Sequence, residues 1–324
     1  MLSMKTRFKN YAIIAFISLG LVACSNDDEG DVMENSNTIA DFVENNPDYS
    51  SLNAALIAAD LKTVLAGSSD FTVFAPNNAA FNSFLSANGF ANLAAVPKEV
   101  LTQVLLNHVQ EGIITSSDLE TGYIESMSTA GPGGENLSTY INTADGVTIN
   151  GMSNVTTANV EVDNGIIHAV DAVIGLPDIT TFATADPTFE ILVAALTREE
   201  EFNFVDILMT QEEPAPFTVF APTNAAFQGL LTELGVSGLG DIPTDVLAAA
   251  LSYHVVTGAN VRSTDISNGM MVTTFEGGSF TVSTEGGVSI TDANDRVANV
   301  VAVDVQATNG VIHVLDKVLL PAME

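Results

Sequence analysis

The sequence is short of bases and nearly without cysteine. Lys and Arg number 9 in 324 residues against 40 Asp and Glu, a formal net charge of −31. A surface of that sign repels nucleic acid and anionic membrane, and no basic patch offsets it, so no nucleic-acid partner is expected. Charged residues are still only 15% of the chain and hydrophobic ones 47%, which is not the composition of a disordered acidic protein. Cys24 is the one cysteine, so no intramolecular disulfide can form. Common catalytic and nucleotide motifs are missing as well: there is no G-x-S-x-G, H-E-x-x-H, G-x-G-x-x-G or P-loop.

Residues 1–23 carry Lys5, Arg7 and Lys9, no acid, and an apolar run from Tyr11 to Val22. The run is too short to span a bilayer comfortably and has the layout of a secretory signal. Its end, Leu21-Val22-Ala23-Cys24, resembles the lipobox of bacterial lipoproteins. That resemblance implies cleavage before Cys24 and a diacylglycerol on its thiol; an ordinary signal with a chance cysteine is the alternative. Two or three acyl chains hold a protein on a membrane where one holds marginally. Residues 24–37 follow as a polar tether opening Ser25-Asn26-Asp27-Asp28-Glu29-Gly30-Asp31. The acidic run resembles the surface-export signal of Bacteroidetes lipoproteins, which implies an outer-membrane lipoprotein facing outward. A spacer on the periplasmic face is the alternative.

The rest of the chain repeats. Phe71-Thr-Val-Phe-Ala-Pro76-Asn77-Asn78-Ala-Ala-Phe81 returns as Phe217-Thr-Val-Phe-Ala-Pro222-Thr223-Asn224-Ala-Ala-Phe227, ten of eleven positions identical at an offset of 146. Asn107-His108 answers Tyr253-His254, also at 146; Asn164-Gly-Ile-Ile-His168-Ala-Val-Asp171 answers Asn309-Gly-Val-Ile-His313-Val-Leu-Asp316 at 145. Upstream, Ile39, Phe42, Pro47 and Leu52 answer Ile179, Phe182, Pro187 and Leu192 at 140, which predicts a six-residue insertion around 209–214. Such a period is a whole domain and far exceeds a solenoid repeat.

Within each repeat, apolar spacing predicts helices first, over 38–66 and 188–210. The Phe-Thr-Val-Phe stretch suits a buried strand, the proline ends it, and Asn77 or Thr223 can cap a following helix. Pro97 and Pro243 each open another helix. Beyond about residue 113 alternating segments predict strands with glycine-marked turns. Helices followed by hairpins predict an α+β fold with antiparallel sheets.

The strand-Pro-Asn box, the central Asn-His or Tyr-His pair and the closing Asn-Gly-x-Ile-His-x-x-Asp box occur twice in the same order. Together they resemble the fasciclin-like domain, over residues 38–177 and 178–324. The resemblance implies a wedge of two β-sheets packed with several helices in each domain, and a role in adhesion or extracellular binding. Asn107 departs from Tyr253, so a function attached to the tyrosine of the central pair does not carry over to the first repeat.

The four histidines, His108, His168, His254 and His313, fall at repeat-equivalent places, which points to packing. A metal would need three or four ligands, and no H-x-x-x-H or cysteine cluster supplies them. His168 and Asp171, or His313 and Asp316, stand three apart on a strand and point to opposite faces. Asp292-Ala-Asn294-Asp295 could touch calcium but lacks the twelve-residue EF-hand pattern. Arg198-Glu-Glu-Glu201 reads as a solvated helix end. The sequence therefore predicts a non-catalytic, lipid-anchored, cell-surface protein without cofactor, whose partner is an extracellular protein or polysaccharide. Two further classes stay open: an accessory component gathering glycan or polymer for nutrient uptake, and an unrecognised enzyme.

Overall fold

The computed structural model describes residues 37–322, so the signal, Cys24 and nearly all of the tether lie outside the described residues. From residue 36 onward the chain is one compact unit. Its first half runs α1 (Ile39–Asn45), α2 (Ser50–Ala58), α3 (Lys62–Leu65), β1 (Phe71–Pro76), α4 (Asn78–Ala87) and α5 (Lys98–Leu106). Six strands follow: β2 (Val109–Glu111), β3 (Gly122–Glu125), β4 (Ser138–Asn142), β5 (Thr148–Ile149), β6 (Ser153–Val162) and β7 (Gly165–Val170). The second half repeats the order: α6 (Ile179–Ala185), α7 (Glu190–Leu196), α8 (Phe204–Met209), β8 (Phe217–Pro222), α9 (Asn224–Leu234) and α10 (Thr244–Tyr253). It closes with β9 (Val255–Thr257), β10 (Met270–Thr273), β11 (Ser279–Ser283), β12 (Ser289–Thr291), β13 (Val297–Ala307) and β14 (Gly310–Leu315).

Helix starts are fixed as the sequence predicts. Asn77 and Thr223 accept from the backbone N–H of Ala80 and Ala226, at 2.9 and 3.2 Å, which caps α4 and α9. Pro97 and Pro243 stand one position earlier than predicted, as the N-cap residues of α5 and α10.

Each half builds a seven-stranded sheet, ordered β2-β1-β7-β6-β5-β4-β3 in the first and β9-β8-β14-β13-β12-β11-β10 in the second. The pairing is mixed and departs from the antiparallel expectation at one place: β1 runs parallel to β7, and β8 to β14. Strand alternation shows which residues share a face but not which neighbour runs alongside, so the parallel pair was hidden. Register shifts bend β6 between Val155 and Val160, and β13 between Val300 and Val305. Each bulged strand turns a continuous order into two leaves that share it. Phe74, Ile141, Ile149 and Val170 fill the space between the leaves of the first half, and Phe220, Phe280, Ile290 and Leu315 that of the second. The helices bury a second apolar layer against the outer face of the same sheet.

The six-residue insertion in the second half is split rather than confined to 209–214. Asn164 Nδ2 donates to the carbonyls of Leu65 and Gly67, and Asn309 Nδ2 to those of Leu208 and Thr210, an offset of 143. Three residues are therefore added before α8 and three between α8 and β8, because the asparagine ties hold the short helix in place between them.

Candidate functional site

The repeated boxes place side chains onto main chain. Phe71, Phe81, Phe217 and Phe227 are buried in the core, and Pro76 and Pro222 form the last rungs of the parallel pairs. Asn78 accepts from Ser51 N at 2.8 Å and donates to Pro47 O at 2.9 Å. Asn224 does the same with Ile191 N and Pro187 O. Each locks the start of its helix onto the turn between the first two helices.

All four histidines are buried. His108 Nε2 accepts from Ile174 N at 2.9 Å, so its proton is on Nδ1, which donates to Val104 O at 2.7 Å. His254 repeats this with Leu319 N and Ala250 O. His168 has the opposite tautomer: Nδ1 accepts from Asn159 N and Nε2 donates to Ile114 O at 2.9 Å. His313 follows it with Asp304 N and Val261 O. Phe74 and Phe220 stack on His168 and His313. Burial pushes His108 and His254 down to about 4, and holds His168 and His313 below the ordinary histidine value. Each ring is a neutral tie between two backbone segments, with no lone pair left to take a proton from a substrate.

The aspartates of the closing box do not meet those histidines. Asp171 accepts from the backbone and side-chain N–H groups of Asn154, and Asp316 from those of Asn299, at 2.7–2.9 Å. Tyr253 is buried, its hydroxyl donates to Ser279 O at 2.6 Å, and burial pushes its pKa up to about 12. Asn107, at the matching position, instead donates to Gly175 O and accepts from Ser126 Oγ. One box position thus serves the same packing role by different chemistry.

Asp292 does not have free oxygens for calcium: it accepts from the N–H groups of Asn294, Arg296 and Leu320 and from the Arg296 guanidinium, all within 3.0 Å. Arg198 is not a solvated helix end. It is half-buried and donates to Leu239 O, Ile242 O and Thr244 Oγ1, which ties the start of α10 to the end of α7. Among the described residues no three His, Cys, Asp or Glu side chains are grouped to hold a metal.

A contact between the halves had no signal in the boxes. Tyr123 and Tyr140 meet as a tilted ring pair with centroids 5.0 Å apart, and Tyr123 meets Phe182 edge-on at 5.5 Å. The Tyr123 hydroxyl donates to Asp186 Oδ2 at 3.0 Å, and burial beside Asp186 pushes Tyr140 up to about 12. Gln306 N donates to Ser138 Oγ at 2.9 Å, Arg262 pairs with Glu135, and Thr308 N donates to Pro177 O. Tyr140 packs within the apolar core of the second half. A Cβ at Gly151 would lie 3.2 Å from Ala185 Cα, so the turn before β6 approaches α6 closely. Each of these residues occurs once, so the repeat does not mark them.

A family model, the fasciclin domain, matches residues 47–177 and again 187–321. The chain belongs to the fasciclin family and carries its domain twice. It is 36% identical over 145 residues to an uncharacterized protein of Synechocystis sp., covering 45% of this chain and 98% of that one. It is 28% identical over 264 residues to the transforming growth factor-beta-induced protein ig-h3 of Sus scrofa, covering 81% of this chain and 36% of that protein. A fasciclin domain pair from the insect cell adhesion molecule Fasciclin I aligns with a TM-score of 0.48 at 20% identity, covering 84% of this chain and 95% of that one.

Proposed function

We propose that the protein is a lipid-anchored adhesion or binding protein of the cell surface, which holds an extracellular protein or polysaccharide without catalysis. The observation that carries this is the fasciclin domain pair: two copies of a family whose sequence boxes imply adhesion, tied together by a formed contact. The repeated polar residues are engaged in holding backbone, which leaves recognition to surface shape and charge. Two domains fixed relative to each other suit a repeating target, where weak contacts act together when their spacing fits. The anchor rests on Leu21-Val22-Ala23-Cys24 and the outward address on the acidic run after it.

The test has two arms. Cys24→Ala is expected to leave the precursor uncut or to release soluble protein; mature-sized protein still in the membrane fraction sinks the anchor. Beads coated with residues 36–324 are expected to be retained on cells or matrix polymers, with retention that changes with ionic strength or divalent cations because the surface is acidic. Absence of retention on every surface, with turnover of a small substrate, would replace adhesion by an enzyme.

A further inference from the structure

The second domain contains an apolar cavity of about 150 Å³ beneath α6, α7 and α8, floored by β8 and open to the surface. An engineered apolar cavity of that size stays dry and binds benzene. Its lining is hydrocarbon, from residues such as Leu192, Leu208, Leu251 and Ile312, with four polar side chains at its margins. All four are already engaged. Thr180 Oγ1 donates to Asp178, Thr184 Oγ1 to Thr180 O and Thr197 Oγ1 to Val193 O, at 2.8–2.9 Å. His254 has both nitrogens on main chain. The cavity therefore offers no free donor and no charge, only lone pairs on three threonine hydroxyls, and a polar ligand would lose most of its hydration inside without replacement.

The first domain differs at the matching places. Val43, buried, stands where the second domain has Ala183. Asn53 stands for Val193. At the mouth, Lys62 and Glu44 form an ion pair of 2.8 Å where the second domain has Val205 and Thr184. Smaller and uncharged residues thus open in one domain what larger and charged ones cover in the other.

We propose that the second domain takes the tip of a single hydrocarbon chain, about six carbons long by comparison with the benzene-sized cavity, inserted through the Thr184–Val205 mouth with any polar head left in water. One molecule binds per chain, not two.

Methyl NMR of residues 36–324 titrated with 1-octanol is the test, with 1,8-octanediol as control and Ala183→Leu as the filling variant. One saturable site is expected, with shifts confined to methyls such as Leu192, Leu208 and Ile312. The diol, which must bury a hydroxyl, should bind at least about tenfold more weakly, and Ala183→Leu should lose binding while keeping its thermal midpoint. If that variant does not fold, Thr184→Glu with Val205→Lys, which reproduces the ion pair of the first domain, must lose binding instead. No saturable site, equal binding of the diol, shifts in both domains, or unchanged binding in a folded variant would each overturn the assignment.

Discussion

A histidine that bridges two backbone segments in its neutral form makes the fold sensitive to acid. His108 and His254 sit at about 4 in the fold, against about 6.5 in an unfolded chain. Between those values the unfolded state binds more protons, so stability is complete above about pH 6.5 and is lost as pH falls towards 4. Each ring would contribute up to about 3 kcal/mol over that window. Urea unfolding of residues 36–324 at pH 7 and pH 5.5 should show the midpoint fall, and His254→Asn should flatten the dependence of the second domain while lowering its stability. An unchanged slope in that variant would mean that other groups set it. The sequence made the packing role of these rings readable, since all four recur in register. It could not show their partners, which are main-chain atoms as far as 66 residues away. Asn164 and Asn309 open the closing box, yet the ties each makes to three backbone groups are invisible in the sequence for the same reason.

At the scale of elements, the parallel pair of each sheet, second and third from one edge, depends on a glycine. Gly165 and Gly310 open β7 and β14 at φ +149° and +157°, and a Cβ there would lie 2.0 and 2.2 Å from the carbonyl oxygens of Phe71 and Phe217. No rotamer relieves a clash with main chain. Gly310→Ala should therefore destabilise the second domain by more than about 2 kcal/mol, as strain at a special backbone position does, whereas Gly258→Ala, at a turn with open space around it, should cost less. Equal losses in denaturant midpoint would show that the close approach does not matter. Most helices, strand positions and caps were legible because their causes are local: apolar period, proline, and a side chain three residues from the N–H it accepts; α6, over Ile179–Ala185, lies before the helical segment 188–210 that the apolar spacing predicts. The mixed pairing and the bulges in β6 and β13 were not, since they depend on which strand lies alongside.

For the whole molecule, the paired tyrosines Tyr123 and Tyr140 and Asp186 couple the domains. Thermal unfolding of residues 36–324 should be a single transition. Tyr123→Ala combined with Arg262→Ala should separate it into two, the earlier of them lowered by several degrees for a loss of about 1 kcal/mol. A parent that already melts in two steps would show the contact to be energetically idle. Tyr123 and Tyr140 stand where the second domain has Met271 and Thr281, cross-strand neighbours at the same register. That difference also limits growth. The domains touch by unlike faces, the β3–β4 leaf of one against the α6 end of the next, and a head-to-tail contact of this kind can propagate into a filament. A further unit docking onto the second domain would find a thioether and a threonine where the first offers two aromatic rings. One approaching the first domain would find the uncharged Asn46 in place of the Asp186 carboxylate, its oxygen already accepting from Asp48 N. Neither open face carries the side chains that make the contact between the two domains.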